Sequence, residues 1–152
     1  MNDIVAGKGK EGDIEKLKEI AEATSVASLC ALGQTAANPM LTTIRYFRDE
    51  YEAHIKEKRC PALVCKELVS YYIDPAKCAA CTLCFRNCPV GAVNGEKNQI
   101  HVIDQSKCTK CGTCFEVCPP KFRAVQKISG EPAPPPIPEE QRLIKRGGKE
   151  NN

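Results

Sequence analysis

Tryptophan is absent from this 152-residue chain, and phenylalanine and tyrosine number only four each. So few aromatic rings leave little material for a large apolar core. Something besides burial must therefore hold part of the chain together. No stretch approaches the roughly 20 apolar residues of a membrane span, which argues against membrane insertion. The N-terminal sequence MNDIVAGKGKEGDIEKL has no apolar run leading to a small-residue cleavage site, so it does not read as a secretory signal. The formal net charge is +3 and there is no basic stripe, so no nucleic-acid partner is expected. These absences point to a soluble chain in the cytoplasm.

What the chain has in excess is cysteine, with eleven residues. In a reducing compartment, clustered cysteines are metal ligands more often than disulfides, and an odd count also speaks against a pure disulfide framework. Eight of them fall in two runs, CAACTLCFRNCP at 78–89 and CTKCGTCFEVCP at 108–119. At an offset of thirty, Ile73-Asp74 matches Ile103-Asp104, Lys77 matches Lys107, Phe85 matches Phe115 and Pro89 matches Pro119. The segment GAV at 91–93 matches RAV at 123–125 after two inserted residues. This is an internal duplication.

Each run has the spacing C-x2-C-x2-C-x3-C-P, which is that of two-cluster bacterial ferredoxins. Steps of three gather three thiolates of one loop around one cluster. The proline after the fourth cysteine turns the chain away, and in such ferredoxins that cysteine ligates the cluster of the other half. One [4Fe–4S] cluster is therefore expected on Cys78, Cys81, Cys84 and Cys118, and a second on Cys108, Cys111, Cys114 and Cys88. Zinc ribbons instead use cysteine pairs separated by a longer gap, which these runs do not resemble. Four thiolates outweigh the +2 cluster core by about two charges per site, so the loaded protein would sit near neutrality. Tyr72-Ile73 and Val102-Ile103 read as short strands entering the loops, with Val93 and Val125 closing the small core. Lys77, Lys107 and Lys110 lie beside the loops and read as solvated lysines.

The rest of the chain carries weaker signals. Residues 1–12 read as loose, and Asp13 as the cap of a helix whose apolar side holds Ile14, Leu17, Ile20 and Ala21 and which frays near Thr24-Ser25. Asn38-Pro39 reads as a second helix start. From there Met40, Ile44, Phe47, Tyr51 and Ile55 recur at helical spacing to about residue 57, forming a packing face. Beyond Ile128, five prolines in the seven residues 132–138 indicate a disordered, polyproline-like tail.

The three remaining cysteines are Cys30, Cys60 and Cys65. His54 precedes the latter two in the pattern His-x5-Cys-x4-Cys, which suggests a zinc site on His54, Cys60 and Cys65 with its fourth ligand supplied from elsewhere. The alternative is two buried thiols beside a helix end.

The segment SLCALGQTAANPMLTTIRYFRDEYEAHI, followed by KRCPA and CK, resembles the C-terminal part of the NADH-binding flavoprotein subunit of NAD-linked, electron-bifurcating [FeFe] hydrogenases. That subunit is related to the flavoprotein subunit of respiratory complex I, and its hydrogenase form adds a two-cluster ferredoxin-like tail. The resemblance covers about residues 3–128. In that family the cysteine of the LC-A-L-G segment, here Cys30, is the fourth ligand of a separate [4Fe–4S] cluster. The other three come from a preceding C-x2-C-x2-C run, which this sequence does not contain. It also holds no Gly-rich nucleotide loop; GKGKEG at 7–12 leads from no strand. The resemblance thus implies a C-terminal piece of such a subunit, or a separately encoded equivalent. Cys30 would complete a cluster in another chain, remain unligated, or serve as fourth zinc ligand. The family's zinc site between helical region and ferredoxin-like tail supports the assignment of His54, Cys60 and Cys65.

The sequence therefore predicts an α+β protein in four parts. They are a helical segment at 1–57, a connector with the zinc site at 58–70, a two-cluster ferredoxin-like domain at 71–128 and a Pro-rich tail at 129–152. The expected function is electron transfer through two [4Fe–4S] clusters, with no catalytic residues in this chain. Expected partners are other subunits or domains of a flavin- and iron–sulfur-containing NADH-linked complex, or a ferredoxin. The alternatives are a free-standing ferredoxin-like carrier with a helical extension, and a structural metal-binding adaptor.

Overall fold

The structure is a computed structural model and describes residues 1–144. The chain falls into two compact units, Met1–Leu68 and the part from Val69 onward.

The first unit is helical. Its elements are α1 (Asn2–Val5), α2 (Asp13–Ala27), α3 (Ala31–Thr35), α4 (Asn38–Tyr46), α5 (Arg48–Glu52) and a π-helical turn, Ala53–Glu57. Ile4, Ile14, Ile44 and Ile55 form its core, with Leu17, Met40 and Tyr51 packed against them. Three expectations change here. Residues 1–12 are not loose, because they form α1 and place Ile4 in that core. The cap of α2 is Gly12 at φ +87°, and the Asp13 carboxylate instead accepts the Lys10 N–H at 2.8 Å. The helix expected from Pro39 to residue 57 begins at Asn38 and breaks at Phe47, whose backbone leaves the helical region at φ −128°, ψ 34°. The break rotates the two halves of the apolar stripe, so Phe47 is 52% exposed while Ile44 and Ile55 stay buried. On α2, Ile20 likewise points outward while Ile14 and Ala21 face the core.

The second unit contains two small antiparallel sheets. Strand β1 (Val69–Ile73) pairs with β4 (Val125–Ser129), from Val69 opposite Ser129 to Ile73 opposite Val125. Strand β2 (Val93–Asn94) pairs with β3 (Val102–Ile103), with Val93 opposite Ile103. Two single-turn helices, α6 (Leu83–Arg86) and α7 (Thr113–Glu116), each follow a cysteine loop. Val93, Ile103, Val125 and Ile73 are buried, as expected for the core between the loops.

The duplication extends to the backbone. Asp74 N–H donates to Ala124 O, and Asp104 N–H to Ala92 O, each at 2.7 Å. Both aspartates then turn the chain into the cysteine loop, accepting the N–H of Ala76 and of Ser106 on the carboxylate. Lys77 and Lys107 form i,i+3 ion pairs with the same aspartates. Positive φ recurs at Ala80 and Lys110, and again at Thr82 and Gly112.

The tail is ordered further than its composition suggests. The Ile100 N–H donates to Arg142 O at 2.7 Å, the Ile144 N–H donates to Asn98 O at 2.9 Å, and Gln99 bridges Leu143. Backbone pairing thus fixes the chain after the prolines, where composition alone gives no hydrogen-bond partner. The expected disordered stretch beyond Ile144 lies outside the described residues.

Candidate iron–sulfur and metal sites

The loop 78–84 and the loop 108–114 each carry three thiols. Left-handed residues at Ala80, Thr82, Lys110 and Gly112 give the chain the reversals that three converging side chains require. Cys84 and Cys114, on α6 and α7, are buried, whereas Cys81 and Cys111 stand at the surface.

Burial and neighbouring thiols both act on these sulfurs. Burial, then the charges of Cys78 and Cys81, push the Cys84 thiol up to about 12. Burial, then Cys108 and Cys111, with Cys88 contributing, push Cys114 up to about 11. Cys111 is held below its ordinary value by hydrogen bonds at Thr113. Backbone amides already point at sulfur: Ala92 N–H to Cys88 at 3.2 Å and Lys110 N–H to Cys108 at 3.4 Å. Buried thiols whose ionisation is opposed first by burial and then by neighbouring thiols fit a cationic core that would hold them as thiolates.

Cys88 is the informative residue. It lines one small cavity together with Cys108, Cys111 and Cys114, and with Tyr71 and Gly112. It lies twenty residues before Cys108, in the other copy of the repeat. Cys118 follows α7 at the equivalent position, thirty residues on, and is half-buried. The two loops also sense each other, since Cys114 adds to the upward push on Cys84.

In the first unit, His54, Cys60 and Cys65 come together, with their ligand atoms all within 4.8 Å of one another. The π-helical turn carries His54, and its Nδ1 lies 2.7 Å from Glu50 O, which orients the ring and leaves Nε2 3.2 Å from the Cys65 sulfur. The Cys65 N–H donates to Cys60 Sγ at 3.4 Å. Burial would raise Cys60, but hydrogen bonds from the Cys65 and Val64 amides, from the Cys65 thiol and from His54 bring it down to about 7. Burial and the adjoining Cys60 push Cys65 up to about 11. A tetrahedral zinc with Zn–S near 2.3 Å sets its sulfurs about 3.8 Å apart, so this trio has the right size. Cys30 is exposed at the start of α3 and stands outside the trio.

Two features of the second unit leave no signal in the cysteine spacing. His101 is 1% exposed, and neither ring nitrogen has a partner among the described residues; burial lowers its pKa, so it is neutral near pH 7. Lys127 lies over two rings, with Nζ 4.9 Å from the Phe115 centroid and 5.9 Å from that of Tyr71. The offset of thirty that pairs Tyr71 with His101 is the one sequence signal that leads to both places.

The fold and the paired cysteine loops define a two-cluster iron–sulfur domain of the ferredoxin type. Residues 71–125 match the 4Fe-4S dicluster domain family, and residues 1–54 match the NADH-ubiquinone oxidoreductase-F iron-sulfur binding region. The chain is 48% identical over 101 residues to the NADP-reducing hydrogenase subunit HndC of Solidesulfovibrio fructosivorans, a match covering 66% of this chain and 21% of the relative. It is 42% identical over 80 residues to the NADH-quinone oxidoreductase F subunit of Streptomyces coelicolor, covering 53% of this chain and 15% of the relative. The protein of the same name from Mycobacterium tuberculosis H37Rv is 46% identical over 58 residues, covering 38% and 13%. The chain thus resembles a C-terminal region of these flavoprotein subunits and spans about a fifth or less of their length.

Proposed function

We propose that this chain is an electron-transfer module, the C-terminal part of a flavoprotein subunit of an NADH- or NADPH-linked complex. When bound, each [4Fe–4S] cluster accepts and releases a single electron without making or breaking a substrate bond. The chain supplies thiolates, spacing and shielding. Cys78, Cys81, Cys84 and Cys118 hold one cluster, and Cys108, Cys111, Cys114 and Cys88 hold the other. The observation carrying this reading is the cavity that Cys88 shares with the three cysteines of the opposite repeat. Assignment of Cys118 to the Cys78 loop rests on its equivalence to Cys88.

His54, Cys60 and Cys65 bind one zinc ion that fixes the end of the helical unit. Cys30 belongs to a cluster completed by another chain or domain. In support, exposed Val26, Leu29 and Leu32 flank it, an apolar surface suited to cover by a neighbouring subunit. The same surface favours a subunit over a freely diffusing carrier. No helix among the described residues is long and apolar enough to cross a membrane. The eleven free thiols suit the cytoplasm. The external electron partner is the flavin-bearing core on one side and a ferredoxin or further cluster protein on the other.

The test is metal analysis and spectroscopy on anaerobically prepared protein. About eight irons and one zinc per chain, with visible absorbance that dithionite bleaches reversibly, are expected. A colourless preparation with zinc only would support a structural adaptor instead. Co-elution with a flavoprotein on gel filtration is expected of a subunit and not of a free carrier.

A further inference from the structure

The two halves of the repeat share backbone features but not side chains, and one cross-strand pair differs in charge. Tyr71 on β1 lies opposite Lys127 on β4. At offsets of thirty and thirty-two, their counterparts are His101 and Gly95. The β2–β3 register of Val93 with Ile103 and Asn94 with Val102, continued by one residue, sets Gly95 opposite His101. The ring pairs match in form as well. Tyr71 and Phe115 have centroids 6.3 Å apart at 53°, and His101 and Phe85 are 6.2 Å apart at 43°.

The third member of each group differs. Lys127 lays its ammonium over Phe115 and Tyr71. At Gly95, φ is +143°, and an added Cβ would come within 2.9 Å of the His101 ring. No side chain can occupy that place without moving the imidazole. At this strand position one half has a half-buried lysine over two rings, and its twin has a glycine beside a buried histidine, the cation on the twin's helix being the exposed Arg86.

The cation stands on the side of the Cys108 loop. Phe115 follows Cys114 directly, and Tyr71 lines the cavity of Cys88, Cys108, Cys111 and Cys114. Among the described residues, no carboxylate lies within ion-pairing distance of Lys127. Glu116, exposed and on the same helix as Cys114, adds a negative charge felt at Tyr71 after burial and the three loop thiols, and so works against Lys127. Lys127 is half-buried as a residue, its stem lying against the rings.

The geometry points to Lys127 as the residue that makes the two clusters unequal, raising the reduction potential of the one on the Cys108 loop above that of its twin. The inference rests on the two-cluster reading above. Each cluster with its four thiolates goes from about −2 to about −3 on taking one electron, and no bond changes. A nearby fixed cation stabilises the more negative form. The first electron to enter then settles on the Cys108-loop cluster, which gives the relay a resting direction.

An EPR-monitored redox titration of the anaerobically reconstituted full chain tests this. Two unequal midpoints are expected, the upper one being that displaced by Cys111→Ser. Lys127→Met keeps the stem over the rings and removes the charge. It should lower the upper midpoint and change the electron distribution between the clusters on the order of tenfold, ~59 mV for one electron. Lys127→Arg should leave it in place, and Glu116→Gln should raise it. Fully loaded Lys127→Met protein with both midpoints unmoved, or with only the lower one moved, overturns the inference. If Lys127→Met fails to load iron, Lys127→Gln is titrated in its place, where an unmoved upper midpoint overturns the inference and a lowered one upholds it. Wild-type protein without cluster signals would instead overturn the two-cluster reading.

Discussion

His54 Nε2 lies 3.2 Å from the Cys65 sulfur, although eleven residues separate them. A π-helical turn aims the imidazole, and the chain reverses at Leu63, φ +54°, to bring the thiols to it. If the trio holds zinc, His54→Ala should lose the zinc and keep the full iron content of the second unit. Zinc retained at one per chain after that substitution would remove the site.

Proton release gives an independent check on the same trio. At pH 8, above the Cys60 value of about 7 and below the Cys65 value of about 11, one thiol is already ionised and one is not. Zinc takes both as thiolates, so binding at pH 8 should release about one proton, read in weakly buffered solution with an indicator. Below pH 7 Cys60 must also give up its proton, so affinity should fall more steeply as the pH drops. Release of two protons at pH 8 would contradict this pairing.

Crossed ligation predicts damage at a distance. Cys118→Ala should disturb the EPR signal of the cluster on Cys78, Cys81 and Cys84. Cys88→Ala should disturb the one on Cys108, Cys111 and Cys114, whose cavity it lines. Each substitution affecting only its own loop would show that the ligands are not exchanged.

The loops should respond unequally to a swap of their helix caps. Gly112 sits at φ +87°, and a Cβ there would stand 3.0 Å from the Tyr71 hydroxyl. Gly112→Thr should cost about 1–3 kcal/mol, from left-handed strain and crowding together. Thr82 already bears such strain at φ +64°, so Thr82→Gly should be neutral or stabilising by under about 1 kcal/mol. Chemical unfolding of the iron-loaded protein measures both.

In the helical unit the core is small enough for one residue to matter. Ile44 is 1% exposed among Ile4, Ile14 and Ile55. Ile44→Ala should destabilise this unit by about 2–5 kcal/mol, through lost burial and the cavity left behind. Urea titration followed by far-UV circular dichroism would show it, and a shift below about 1 kcal/mol would mean the core is not closed there.

In the ferredoxin-type half the loops and their small core were legible residue by residue, while His101, Lys127 and the pairing of the tail were not. Cysteine spacing, the duplicated Ile-Asp and Cys-Pro pairs and the valines of the small core require only local sequence, because loop chemistry repeats where the sequence repeats. The helical half was legible in outline alone. Periodicity identified the apolar stripe from Met40 to Ile55, but a break at Phe47 leaves no mark on spacing, and Ile20 looks as apolar as its buried neighbours. The grouping of His54 with both cysteines was readable because eleven residues span it. The separation of Cys30 from that group was not, since only packing decides how far apart two segments end.

The sequence by itself determined that two like loops of thiols exist, because metal-binding spacing is a property of neighbouring residues. The approach of Cys88 to the opposite loop was expected from the same spacing, whereas tertiary structure alone decided that Lys127 covers Phe115 while Gly95 leaves room for His101. These are contacts across strands, and a cross-strand contact depends on register, which distant pairing and not local sequence fixes.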